Sequence, residues 1–116
     1  MGKLGLTHLR VSFSDDFYMG PGRADLLERI GETGSIAAAG KTMGMSYKRA
    51  WGLVQALNAG FGAPLVETSR GGSAQGGAQL TEAGRQVLAH YRAMQDKAEA
   101  AIAADFAGIA ALAAQK

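Results

Sequence analysis

The stretch Gly34-Ser35-Ile36-Ala37-Ala38-Ala39-Gly40-Lys41-Thr42-Met43-Gly44-Met45-Ser46-Tyr47-Lys48-Arg49-Ala50-Trp51 holds two helix starts and one tight turn. Gly34 stands where an earlier helix ends, because glycine takes the left-handed conformation there without a Cβ penalty. Ser35 offers a side-chain oxygen to the free amides of a short helix, Ile36 to Met43. Gly44 supplies the turn. Ser46 caps the next helix, Tyr47 to about Ala59, which Gly60 and Gly62 stop. Two helices joined by a short glycine-containing turn form a helix-turn-helix unit.

The flanks complete a domain. Leu9, Val11 and Phe13 alternate with Arg10, Ser12 and Ser14, the period of a short edge strand. Asp15 to Gly22 contains Gly20-Pro21-Gly22, a turn before a helix, and Asp15-Asp16 reads as a solvated turn. Pro21 suits the first turn of a helix running to Thr33, whose apolar side is Ala24, Leu26, Leu27 and Ile30. Downstream, a strand over Pro64 to Thr68, a Gly-rich loop from Arg70 to Gly77 and a returning strand over Ala78 to Leu80 make a hairpin, the wing. Thr81 caps a final helix. Val87, Tyr91, Met94, Ala98, Ile102, Phe106 and Ile109 recur along it three or four apart, and Gly108 is a point where its end can fray. The expected fold is mainly α with a small β-hairpin: a winged helix-turn-helix domain over residues 1–81, followed by a long C-terminal helix over 82–116.

That helix is longer than one small domain needs to cover its core. An apolar stripe left exposed marks an interface. A second copy covers it if like helices pair about a two-fold, which closes on itself; the alternative is that the helix bends at Gly108 or earlier and folds back on its own domain. Val87, Tyr91, Met94, Ala98, Ile102, Phe106 and Ile109 are therefore the candidate dimerisation residues.

On a wheel of about 100° per residue, the helix after Ser46 separates two faces. Ala50, Leu53, Val54, Leu57 and Phe61 gather on one, the core side. Lys48, Gly52, Gln55 and Ala59 lie opposite, with Arg49 on one shoulder and Trp51 and Asn58 on the other. Trp51 reads as a packing residue. A helix-turn-helix meets bases through the start of its second helix. Arg and Lys pair with guanine O6 and N7, and Gln with adenine. The candidate DNA-binding set is Ser35, Lys41, Ser46, Tyr47, Lys48, Arg49, Gly52 and Gln55, with Arg70 in the wing. Gly52 costs about 1 kcal/mol against Ala in a helix interior, which a close approach of another surface would explain.

Composition agrees. The 116 residues fit one domain, with 47% hydrophobic and 19% charged residues. Net charge is +2, but Ser35 to Arg70 carries four Lys/Arg against Glu67 alone. That concentration suits a face that meets phosphates. There is no Cys, which excludes disulfides and thiolate metal sites, and His8 and His90 fall on separate elements. No apolar run reaches the roughly 18 residues of a membrane span, and no secretory leader is visible. Gly72 to Gly77 has the outer spacing of a phosphate loop, but Ala78-Gln79 and a strand follow where Lys, Ser/Thr and a helix are required. No nucleophile-base pair is spaced for catalysis. The expectation is a cytoplasmic, non-enzymatic protein without metal or cofactor. It binds double-stranded DNA as a homodimer and regulates transcription. The alternative is a winged-helix protein-interaction module without DNA binding.

The run Gly34-Ser35-Ile36, Gly44 to Trp51, Val54 and Leu57-Asn58, continued by Pro64-Leu65-Val66-Glu67, the double-glycine wing, Leu80-Thr81 and Gly84, resembles the DNA-binding domain of the molybdate-responsive ModE regulators. The broader Pro-Leu-Val and Leu-Thr-x-x-Gly frame is shared with LysR-type regulators. The resemblance implies a dimer on a palindromic operator, with Ser46, Tyr47, Lys48 and Arg49 in the major groove. Two features depart from it. Gly40 stands where the family usually has Ala, which should loosen the short helix. No molybdate-binding domain is recognisable after Tyr91, so the chain resembles the family's stand-alone DNA-binding form, and a molybdate response is not implied.

Overall fold

The computed structural model describes residues 5–69 and 77–113. Eight elements follow in order: β1 (Val11–Ser12), β2 (Tyr18–Met19), α1 (Pro21–Thr33), α2 (Ile36–Thr42), α3 (Tyr47–Gly60), β3 (Val66–Ser69), β4 (Gly77–Leu80) and α4 (Glu82–Ala113). The edge strand expected near Leu9 is real but short. Its partner β2 lies between the two expected turns, where no strand was expected, and pairs Val11 with Met19 and Ser12 with Tyr18.

Local chemistry sets the helix ends. Gly34 has φ 73°, and its amide donates to the Ile30 carbonyl, closing α1. The Ser35 and Ser46 hydroxyls accept from the amides of Ala38 at 3.0 Å and Arg49 at 3.1 Å. Between them Gly44, at φ 71°, turns the chain from α2 into α3. Gly40, where the family usually has Ala, lies buried within α2. A Cβ there would lie 2.9 Å from the Ala50 Cβ, so α2 and α3 cross almost backbone to side chain at this point.

The core is continuous through all of these elements. Ala24, Leu26, Leu27 and Ile30 of α1 meet Ile36 and Ala39 of α2, and Ala50, Val54 and Leu57 of α3. Leu65, Val66 and Ala78 close it from the hairpin. β3 and β4 are antiparallel, with Val66 opposite Leu80 and Ser69 opposite Gly77. The Ala78 amide donates to the Gly34 carbonyl at 2.9 Å, tying the returning strand to the start of α2.

α4 begins inside this domain. The Thr81 hydroxyl accepts from the Gly84 amide at 3.0 Å and donates to the Pro64 carbonyl at 2.7 Å. Gly84 packs so tightly on Leu65 that a Cβ would overlap the Leu65 carbonyl oxygen. Two of the expected dimerisation residues are therefore corrected. Tyr91 is 1% exposed, and its hydroxyl donates to the Leu9 carbonyl at 2.6 Å. Val87 packs against the same core. The apolar period runs unbroken along the helix, but its first turns are used by the domain itself. Arg92, one residue on, reaches Asp25 at 2.8 Å and Glu28 at 3.0 Å on α1. Burial works against its charge, but the two carboxylates outweigh that and raise its pKa further. Beyond Glu99 every described residue is exposed, and the helix projects along the 60 Å long axis.

Candidate nucleic-acid interface

Among the described residues, α3 presents an exposed outward face. Ala50, Val54 and Leu57 are turned inward, as their spacing requires. Ser46, Tyr47, Lys48, Arg49, Gly52 and Gln55 are all exposed. A Cβ on Gly52 would meet nothing within 4 Å, so the glycine leaves a flat place in the middle of the face. Ser35 caps α2 and Lys41 is exposed in its last turn. The capping hydroxyls of Ser35 and Ser46 each accept from an amide, which leaves their own O–H free to donate. Arg70 lies outside the described residues, as does most of the Gly-rich loop.

Charge on this face is of one sign. No acidic residue occurs between Glu32 and Glu67, while Lys41, Lys48 and Arg49 fall within that interval. A second basic feature was not legible as such in the sequence. Arg49, on one shoulder of α3, shares a cleft of about 190 Å³ with His8, Arg23 and Leu53 at the start of α1. Arg10 and Arg23 lie over the Tyr18 ring at 3.7 and 4.1 Å from its centroid. The pairing of β1 with β2 sets Arg10 beside Tyr18, over whose ring Arg23 also lies, and the cleft sets Arg23 beside Arg49.

The other shoulder carries two surprises. Trp51, read as a packing residue, is 38% exposed and lies outside the core. Its ring stacks on that of Tyr47, 6.3 Å between centroids and 21° between planes. Asn58 fastens α3 to the root of the wing. Its Oδ1 accepts from the amides of Leu65 at 2.8 Å and Val66 at 3.1 Å, and its Nδ2 donates to the Val66 carbonyl at 3.1 Å. These three bonds tie α3 to the start of β3.

No group of three or more His, Cys, Asp or Glu able to hold a metal occurs among the described residues. No helix there is long and apolar enough to cross a membrane.

The family described as "Bacterial regulatory helix-turn-helix protein, lysR family" matches residues 23–85. Among curated proteins, the chain is 51% identical over 77 residues to the molybdenum-pterin-binding protein MopB of Rhodobacter capsulatus, covering 66% of this chain and 28% of that one. It is 41% identical over 80 residues to the molybdenum transport protein ModE of Azotobacter vinelandii, covering 69% and 30%. It is 35% identical over 83 residues to the DNA-binding transcriptional dual regulator ModE of Escherichia coli (strain K12), covering 72% and 32%. The chain therefore spans less than a third of the length of these relatives. Among solved structures, the DNA-binding domain of CbnR in complex with DNA superposes with a TM-score of 0.56 at 30% identity, covering 78% of this chain and 95% of that one. Full-length CbnR complexed with its target DNA gives 0.53 at 31% identity, covering 66% and 25%.

Proposed function

This chain belongs to the lysR family of bacterial regulatory helix-turn-helix proteins, and from that premise we propose that it is a sequence-specific DNA-binding transcriptional regulator that works in the cytoplasm as a homodimer, without catalytic activity of its own. The observation that carries the reading is the uncovered, acid-free outward face of α3, set beside a hairpin wing. A surface of this kind fits the major groove, which admits an α-helix and presents base edges to it.

The parts divide by chemistry. Lys48 at the start of α3 reaches guanine O6 and N7, and Gln55 is suited to adenine N6 and N7. Gly52 lets the helix axis approach the base edges. Arg49, with Arg23 and His8 around the cleft, neutralises backbone phosphates on one side. Ser35, Lys41 and Ser46 add donors at the turn, and Arg70 adds one from the wing. The exposed stripe of Met94, Ile102, Phe106 and Ile109, flanked by half-buried Ala98, is the surface that a second copy covers. Two copies related by a two-fold offer two recognition helices to a palindromic operator, whose half-sites lie about one helical turn apart.

Selection of bound sequences from random duplex DNA, followed by salt titration on the selected site, tests the reading. A symmetric consensus and a steep salt slope are expected. Lys48→Ala should weaken binding and relax preference at one base position, about 1–3 kcal/mol for a lost bidentate contact. Arg49→Ala should lower the salt slope by about one with little change in preference. Unselective binding by the wild type, or unchanged affinity and slope in both variants, would overturn the assignment.

A further inference from the structure

Among the described residues, the stacked pair Tyr47–Trp51 lies outside the core that holds the fold together. Tyr47 is 56% exposed and Trp51 38%, and neither belongs to the core cluster. One turn apart, they stack on each other and stand as an apolar ridge at one edge of a face that is otherwise small, polar and basic. Gly52 beside them is flat, and Ala56 and Ala59 add little bulk. Asn58 lies on the same stripe of the helix two turns on, and it is the residue that holds the wing root. The ridge therefore stands at the margin of the recognition face nearest the wing.

Water solvates an exposed indole poorly, and a tryptophan at such a site is suited to burial on contact. The major groove offers one apolar feature at its base edges, the C5-methyl group of thymine. We propose that Trp51, held upright by its stack on Tyr47, reads thymine methyl groups at the wing-side edge of each half-site. It is a specificity residue rather than a packing one. The inference rests on the DNA-binding reading above and adds the base feature that this part of the site recognises.

Deoxyuridine differs from deoxythymidine only by that methyl, so replacing thymines one at a time isolates it. The selected duplex is scanned this way, on both strands, with wild type, Trp51→Ala and Trp51→Phe, using the anisotropy of labelled DNA. In the wild type, one or two positions should each lose about fourfold in affinity, the factor that burying one methyl-sized group is worth. Trp51→Ala should bind the thymine duplex more weakly and show no loss at those positions. Trp51→Phe should keep part of the discrimination. Trp51 is the one tryptophan of the chain, so its emission should shift to the blue on the thymine duplex and shift less on the uracil duplex. A flat uracil scan in the wild type, or the same loss in wild type and Trp51→Ala, overturns the proposal while leaving DNA binding intact. Absence of selective duplex binding by the wild type overturns the functional reading and this inference with it.

Discussion

Replacing Asn58 by alanine tests how the wing is held. The side chain makes three hydrogen bonds, to the amides of Leu65 and Val66 and to the Val66 carbonyl. Leu65 and Val66 are both buried, so water does not readily replace what is lost. A hydrogen bond is worth about 1 kcal/mol net, and a buried group left without a partner costs about 1–3 kcal/mol. Asn58→Ala should therefore destabilise the domain by roughly 2–4 kcal/mol, a large share of the 5–15 kcal/mol typical of a whole domain. Urea denaturation followed by far-ultraviolet circular dichroism, at fixed protein concentration, reads this as a lower midpoint with an unchanged slope. Asn58→Asp is the control. It keeps an acceptor for both amides but sets a carboxylate oxygen against the Val66 carbonyl, so its loss should be intermediate. An Asn58→Ala protein within about 0.5 kcal/mol of the wild type would refute the idea that this residue locks α3 to the hairpin.

Two further outcomes are expected. Ile102→Asp places a charge in the exposed stripe of α4 and should convert a dimer into a folded monomer by sedimentation equilibrium at tens of micromolar; an unchanged dimer would place the interface elsewhere. Tyr91→Phe removes the bond to the Leu9 carbonyl and should cost about 1 kcal/mol. Burial raises the Tyr91 pKa above the ordinary phenol range, so the stability tied to its neutral form is complete below that range and is lost as pH rises through the folded value. The alkaline loss should be smaller in Tyr91→Phe than in the wild type, and equal alkaline titration curves for stability would count against it.

Helix boundaries were the most legible feature, because capping is local chemistry. Ser35, Ser46 and Thr81 each accept the expected amide, and Gly34 and Gly44 each take the left-handed conformation that a turn needs. What sequence hides is the identity of a neighbour. Tyr91 and Ile102 carry the same period on one helix, yet one meets Leu9 of its own chain and the other meets no core. Gly40 looked costly because propensity describes one helix, whereas its reason for being there is the Ala50 methyl of another. Trp51 was assigned to packing on the habits of its residue type, whereas among the described residues it lies outside the core cluster, 38% exposed and stacked on Tyr47. Asn58 was placed on the correct shoulder, but its partners lie across a turn whose shape no periodicity reports. The cluster of Arg10, Arg23 and Tyr18 depends on two-residue strands too short to leave a pattern.

The same contacts bear on how a dimer would space its recognition helices. Asn58 joins α3 to the start of β3, and the Thr81 amide and hydroxyl join the start of α4 to Leu65 and Pro64 in that same segment. Gly84 lets α4 touch the Leu65 backbone, and Arg92 clamps the helix to Asp25 and Glu28 of α1. From recognition helix to dimer stripe, then, every step is a hydrogen bond, an ion pair or a backbone contact, with no linker between. α4 is about 48 Å long at 1.5 Å per residue over its 32 residues. A small change in its angle at the root therefore becomes a large displacement at its far end. In the proposed dimer the converse holds as well. Once two α4 helices pair, their crossing angle fixes the separation of the two α3 helices, and only an angle that sets them about 34 Å apart serves adjacent turns of DNA. In that proposed dimer, operator spacing would be set by the packing at Gly84, Tyr91 and Arg92, which root α4 in the domain.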